Sequence, residues 1–460
     1  MMKKIIVPAM AFLLLNTPTV FAQSKTYSLK EVWQKVLQHY PSLSARKEAV
    51  EAQELKKELI KEGFLPDITI QSQQSYGSIQ NVPGSFFPLP GMYTTSGSNK
   101  ASAGNSPGAN FYASALLQWN FMQFGRQQKK LAAANAAISV SNTLLKQEEW
   151  NLLANASRFY FSALAAHAAL NVARADTRRL SELLELLQSQ VNAGLRPGAD
   201  TLLLKSSLLQ SKAKEHDFGA TLKKSLIQLG ALTGDANGDF SIDTTIFSRF
   251  QPTSFGSKGD LQEHPYLQLM NARIQAAEAD KETVKKEIYP SIGLLAGVGV
   301  KGSGISTDGT IDKGVAGSWQ NASGTYLAGI GLTWNFASLY QNKTKRAVAD
   351  RVVATAKAEK EAMQIQLQAQ YASALAGWDE QSQKLLAAHA SLDASKEAYE
   401  LYEVRYQSGL LNLIELLQLQ KNLQEAESNY VTAVSGYWNE LLNQSETLGD
   451  PSLILTVIKP

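Results

Sequence analysis

Cysteine is absent from all 460 residues. A chain without it has no disulfide, no thiolate metal site and no cysteine to carry a lipid anchor. Charge of one sign is missing too: 44 Lys+Arg stand against 41 Asp+Glu, a formal net charge of +3. That balance argues against a nucleic-acid partner, which calls for a basic stripe. Beyond the N-terminal residues no apolar run reaches 18, so no transmembrane helix is expected. The strands of a membrane β-barrel carry a much weaker signal and escape that test. Catalytic signatures are lacking as well. His39, His167, His216, His264 and His389 show no metal-ligand spacing, and no nucleophile elbow, P-loop or dinucleotide fingerprint occurs. The expectation is a protein that is not an enzyme, with no catalytic residue, no cofactor and no metal. His39 and His264 each lie beside a proline, which points to a structural role.

What is present starts with Lys3 and Lys4, the apolar run Ile5 to Leu15, and small residues around Val20-Phe21-Ala22. This is the pattern of a secretory signal peptide, expected over 1–22 with cleavage between Ala22 and Gln23. Losing Lys3 and Lys4 leaves 42 basic against 41 acidic residues, a charge of about +1.

The remainder says one thing twice. Pro41 and Pro66 lie 25 residues apart, as do Pro265 and Pro290. Trp119-Asn120-Phe121 returns as Trp334-Asn335-Phe336, an offset of 215 that Gly194 and Gly409, Leu226 and Leu441, and Gly234 and Gly449 all keep. A fixed offset over so long a stretch is the mark of a duplicated structural unit. Each copy reads helix, strand, loop, strand, very long helix, Gly turn, helix. The first repeat spans 23–234, with strands about 64–77 and 110–122, a long helix about 125–192 and a return helix about 199–230. A connector covers 235–261. The second repeat spans 262–449, with strands about 288–301 and 324–336, a long helix about 338–407 and a return helix about 412–448. A tail takes 450–460.

Period-2 alternation identifies the strands. Phe111, Ala113, Ala115, Leu117, Trp119 and Phe121 share one side, and Tyr326, Ala328, Ile330, Leu332, Trp334 and Phe336 another. Runs of about 10 residues suit a tilted strand crossing a bilayer, although the same alternation suits a soluble hairpin on helices. The loops tilt the choice. Residues 78–109 and 302–323 are rich in Gly and Ser. Structureless loops of that length are uncommon in compact domains but usual in outer-membrane barrels. Trp119, Phe121, Trp334 and Phe336 fall where an interfacial aromatic girdle would lie; core aromatics are the other reading.

From Arg126 to Asn192 there is neither Pro nor Gly, and about Ala337 to Gln407 holds only Gly377. A helix of nearly 70 residues runs to about 100 Å, more than most globular domains can house. Apolar residues recur every seven positions from Leu131 to Leu187, and from Tyr371 through Trp378, Leu385, Leu392 and Tyr399 to Tyr406. That period implies left-handed coiled-coil packing.

The order of elements and these motifs resemble the TolC family of outer-membrane efflux and secretion channels, over essentially the whole chain after the signal. The resemblance rests on the twofold repeat, the prolines leading into strands, and the turns Val191-Asn192-Ala193-Gly194-Leu195 and Arg405-Tyr406-Gln407-Ser408-Gly409-Leu410. Four strands cannot close a barrel, and open sheet edges are not tolerated in lipid, so several chains must pool theirs. Whether two or three do so is open from composition; the resemblance implies a homotrimer. The implied fold is mainly α with membrane β-strands: a trimeric 12-stranded β-barrel in outer-membrane lipid, continued by a periplasmic α-helical coiled-coil barrel. The implied function is that of a passive conduit in a tripartite export system. Its partners would be a periplasmic adaptor (membrane fusion protein) and an inner-membrane pump of RND, ABC or MFS type. Cargo is open between multidrug efflux, metal ions, and peptides or proteins of type I secretion. A periplasmic coiled-coil adaptor is the alternative reading, and it predicts a single hairpin flanked by a β-rich segment.

The resemblance also assigns residues. Matched outward from Gly409, the family's first pore acid falls on Glu415, and Gln418 stands where the second is normally Asp. Matched from Gly194, the acid of the other turn falls on Asp200. Three symmetry-related carboxylates near a narrow axis would give a strong negative potential that draws cations. The basic residue that latches the mouth falls on Leu411, so Arg196 is the candidate substitute. Gly194, Leu195, Arg196, Gly409, Leu410 and Leu411 are candidates for the periplasmic tip that docks the adaptor.

Overall fold

A computed structural model describes residues 26–77, 106–235, 237, 239–248, 261–306, 310–320 and 322–458. The expected signal peptide, with Ala22 and Gln23, lies outside the described residues, as does most of the first loop. In order the elements are β1 (Thr26–Tyr27), α1 (Leu29–His39), α2 (Pro41–Glu62), β2 (Asp67–Gly77), β3 (Gly108–Met122), α3 (Arg126–Asn192) and α4 (Gly198–Thr233). There follow β4 (Ser241–Ile242), α5 (Thr245–Ser248), α6 (Pro265–Lys286), β5 (Ser291–Ser303), α7 (Val315–Gln320), β6 (Ala322–Thr333), α8 (Ala337–Gln407), α9 (Leu413–Thr447) and α10 (Leu453–Ile458).

The chain divides into two compact units. One comprises the residues up to Leu43, Glu148–His264 and Leu367 onward; the other comprises Ser44–Gln147 and Pro265–Gln366.

The first unit is helical. Ser28 opens α1 through a capping box, the Glu31 carboxylate accepting from the Ser28 N–H at 2.8 Å. Pro41 opens a second helix, since Tyr40 is extended, as a residue before proline prefers. The seven-residue stripes turn inward: Leu152, Ala166, Ala173, Leu180 and Leu187 are buried, and so are Trp378, Leu385, Leu392, Tyr399 and Tyr406. Leu131, Ile138, Leu145, Phe159 and Tyr371 of the same stripes are half-buried; beside Phe159, Tyr160 and Phe161 take the core instead. Each large apolar side chain fully buried contributes about 1.5–3 kcal/mol, so such a stripe holds a helix that propensity alone would not. The described part of the connector holds β4 and α5. Its β4 pairs in parallel with β1, and Ile242 and Ile246 are buried. The tail likewise forms α10, with Ile454 buried.

The second unit contains an antiparallel sheet in the order β2-β3-β5-β6. Its register runs from Asp67↔Gln118 to Gly77↔Gly108, then Asn110↔Ser303 to Trp119↔Leu294, then Ser291↔Thr333 to Gly302↔Ala322. A bulge between Trp119 and Met122 interrupts the middle ladder, which resumes at Met122↔Ile292.

Candidate functional sites: a sheet face and two helix turns

Directly paired residues share a face, so the register sorts the sheet's side chains. Ile68, Ile70, Leu117, Ala115, Ala296 and Val298 fall on one side, joined by Tyr326, Ala328, Ile330 and Leu332. Thr69, Gln71, Ser114, Gln118, Gly297 and Lys301 fall on the other. The apolar side is bare: Ile70 is 80% exposed and Tyr326 88%. Among the described residues the outer edges of β2 and β6 have no strand partner. A contiguous exposed apolar surface of this kind marks contact with lipid or another chain. At the end of β3 nearest α3, Trp119 and Phe121 lie 5.7 Å apart; Trp334 and Phe336, just past β6, lie 4.6 Å apart. All four are exposed.

The two turns of the helical unit are built alike. Gly194 and Gly409 sit at φ +72° and +74°, a conformation that favours glycine. At the first, Gly194 N–H donates to Val191 and Leu195 N–H to Gln190; at the second, Gly409 donates to Tyr406 and Leu410 to Arg405, all within 2.9–3.0 Å. This Schellman pairing satisfies the last carbonyls of α3 and α8. Leu195 and Leu410 then project into solvent, 74% and 73% exposed. Leu411 behaves differently: it packs against the buried cluster.

The return helices start at Pro197 and Asn412, whose side-chain oxygen accepts from Glu415 N–H at 2.9 Å. The structure leaves Glu415 and Gln418 exposed, on positions flanking buried Leu416, and Asp200 half-buried one turn before Leu204. Arg196 reaches across to the other turn, its guanidinium 5.2 Å from the Tyr406 ring centroid. Burial pushes the Tyr406 hydroxyl above the usual phenol range; Arg196 pulls it down and Asp200 up. That hydroxyl is buried without a hydrogen-bond partner among the described residues. Sequence reasoning placed Tyr406 on a core stripe and did not single it out for its meeting with Arg196 and Asp200.

A polar node further along the same helices escaped the sequence altogether. Asp176 is buried on α3 and accepts from Ser211 Oγ of α4 and Gln420 Nε2 of α9, each at 2.6 Å. One turn on, Arg179 binds Glu427 of α9 in a two-pronged pair, at 3.0 and 2.6 Å. Burial, aided by Glu403, pushes the neighbouring Tyr399 hydroxyl up to about 12. Leucines surround this node: Leu180, Leu183, Leu208, Leu392, Leu416 and Leu423 belong to one cluster drawn from four helices.

Comparison with known proteins gives these features a setting. The model of the outer membrane efflux protein family matches residues 32–235 and 259–446. The pyoverdine export outer membrane protein OpmQ of Pseudomonas aeruginosa is 22% identical over 334 residues, 71% of this chain and 67% of that protein. The alkaline protease secretion protein AprF of the same organism is 26% identical over 193 residues, 40% of this chain and 39% of that one. Among solved structures, CusC, studied for its folding and transmembrane channel formation, superposes with a TM-score of 0.73. Identity there is 14%, covering 96% of this chain and 99% of that one.

Proposed function

The chain belongs to the outer membrane efflux protein family, whose members are export channels, and from that premise we propose that three copies pool their sheets into one twelve-stranded lipid-embedded barrel. One observation carries this reading: a four-stranded sheet with a bare apolar face and both edges unpaired among the described residues. In lipid such edges must pair, and bacterial barrels have at least eight strands. A single chain supplies half of that.

The long helices of the three copies form a periplasmic tunnel, and its far mouth is the pair of Gly turns. There Glu415 and Asp200 line the opening, with Gln418 weakening the second acidic position. Rings of carboxylates favour cations. Exposed Leu195 and Leu410 offer the apolar tip of an adaptor something to grip, whereas Leu411 serves the core. Arg196 takes the part of a latch by lying over Tyr406 rather than through a pair at position 411. The channel is a passive conduit; an inner-membrane pump supplies the energy. Cargo follows from that pump and adaptor; among relatives, OpmQ is a pyoverdine export protein and AprF an alkaline protease secretion protein.

The test has two parts. Detergent-purified protein is expected at three times the chain's mass of 50.1 kDa, less any leader removed. A strictly monomeric species sinks the proposal. Deleting the gene is expected to raise cellular accumulation of at least one among dyes, detergents, metal ions and siderophores.

A further inference from the structure

Residues 310–320, between β5 and β6, fold back on the sheet. Its helix α7 lies over the end of the apolar face farthest from Trp119. The Trp319 ring stacks on Phe111, with centroids 3.9 Å apart and planes 24° apart, and Gln74 donates to Ser318 Oγ at 3.3 Å. Gln74, Phe111 and Gly302 are successive cross-strand partners, so they share that face. Gly302 is required here: a Cβ would strike the Ser318 carbonyl oxygen. Asp312 fixes the entry to the helix, accepting from Gly314 N–H at 2.8 Å and crowding Gly317. The docking buries Ser318 but leaves Val315 59% and Trp319 56% exposed. Those two are four residues apart, hence neighbours on one side of α7.

Spacing tells what that side meets. Phe111 and Trp119 are eight residues apart on β3, about 27 Å along a strand, or about 20 Å of height at the roughly 40° tilt of a membrane barrel. The apolar band of such barrels is about 25 Å tall and bounded by aromatics on both rims. Trp119, Phe121, Trp334 and Phe336 lie at one rim. At the other, the apolar face offers Tyr76 of β2 and Phe111 of β3, and α7 adds an indole and a valine.

We infer that α7 is an interfacial anchor, seating Val315 and Trp319 in the outer leaflet where acyl chains meet headgroups. The occupant of this surface is lipid, continuous with the lipid that covers Ile70, Val298 and Tyr326 below it. Exposed Lys313, two residues ahead, lies close to the headgroup anions in this placement. The inference rests on the barrel reading, and its test separates the two.

Because the chain has no native cysteine, single labels can be placed on the full-length protein without background. Val315→Cys, Tyr326→Cys in mid-strand and Ala193→Cys beside the first Gly turn are spin-labelled. Each variant is reconstituted in phosphatidylcholine–phosphatidylglycerol vesicles, and collision with oxygen is compared with collision with a water-soluble nickel chelate. The expected oxygen-to-nickel ratio at Val315 is several-fold above that at Ala193 and below that at Tyr326. A Val315 ratio equal to that at Ala193, with Tyr326 lipid-like, overturns the anchor and leaves the barrel standing. Exclusion of both probes at Val315 also overturns it, by placing protein there. An aqueous reading at Tyr326 overturns the barrel and the anchor together. Should Val315→Cys fail to assemble, Ala316→Cys, also exposed, takes its place.

Discussion

The indole N–H of Trp119 donates to the carbonyl of Phe64, two residues ahead of Pro66, at 2.9 Å. Trp334 repeats the bond to Ile288, two residues ahead of Pro290, at 3.0 Å. Both carbonyls lie just past the ends of α2 and α6, where helix termini leave acceptors unmet. The duplicated tryptophans thus close the helix-to-strand corner in each copy. Trp119→Phe and Trp334→Phe keep a ring and lose the donor. With both sites partly open to solvent, each is expected to cost about 0.5–1 kcal/mol, read as a lower dissociation temperature of the assembled protein in detergent. No change in the double variant would show that the bonds contribute nothing.

Glu427→Ala takes the two-pronged partner from the Arg179 guanidinium and leaves it Asp176 at 3.9 Å. A buried pair broken on one side typically costs about 3–5 kcal/mol, and some residual exposure of Arg179 brings the expectation to about 2–4. Asp176→Ala is expected to cost a similar amount by stranding the Gln420 amide and leaving Ser211 with Thr177, at 3.0 Å. Equilibrium unfolding in denaturant measures both. Values within about 0.5 kcal/mol of wild type, the usual range for surface changes, would remove any structural role from the node.

Glu415→Gln is expected to lower the cation-to-anion permeability ratio several-fold in planar bilayers, and Gln418→Asp to raise it. Asp200→Asn should act more weakly, because that carboxylate is half-buried beside Tyr406. An unchanged reversal potential in Glu415→Gln would place this residue away from the constriction.

His264 gives a pH dependence with a definite sign. It is buried, with Nε2 3.1 Å from the Glu446 carbonyl and its ring edge-on to Trp150. Burial holds its pKa below the ordinary 6.5, the Glu446 carbonyl opposing in part. The unfolded chain therefore binds the proton first as pH falls. Stability is intact above about 6.5, declines as pH drops below it, and levels off under the folded pKa. His264→Gln is expected to shrink that decline, measured as the difference in unfolding free energy between pH 7.5 and pH 5. An identical pH profile in the variant would assign the dependence elsewhere, for instance to His167, whose pKa burial also lowers.

The sequence made the large elements legible because their signals are repetitive. Neither Pro nor Gly interrupts Arg126 to Asn192, and that stretch is one helix. Alternation over ten or more residues marks β3 and β6, and the Gly194 and Gly409 turns stand at a common offset. What stayed hidden is short or depends on distant partners. β1 and β4 are two residues each, too few to show a period, and pair across 215 positions. α7 hides in a Gly-rich stretch because six residues carry no helical stripe. Asp176 and Gln420 stand out in no local pattern, because their pairing exists only where three helices meet. The contact of Arg196 with Tyr406 spans 210 positions of chain, and Leu411 could not be sorted from Leu410 until the turn itself was seen.

Leucine stripes alone have no zero mark: sliding one rod past another by two turns would bring leucine back against leucine at almost no loss. The Asp176 and Arg179 node does mark the register, because such a slip would pull Asp176 from Ser211 and Gln420 and Arg179 from Glu427. It works as an index pin that sets how far each hairpin reaches. With the pin engaged, the Arg196 guanidinium comes within 5.2 Å of the Tyr406 ring centroid, so the two glycine corners meet through these side chains.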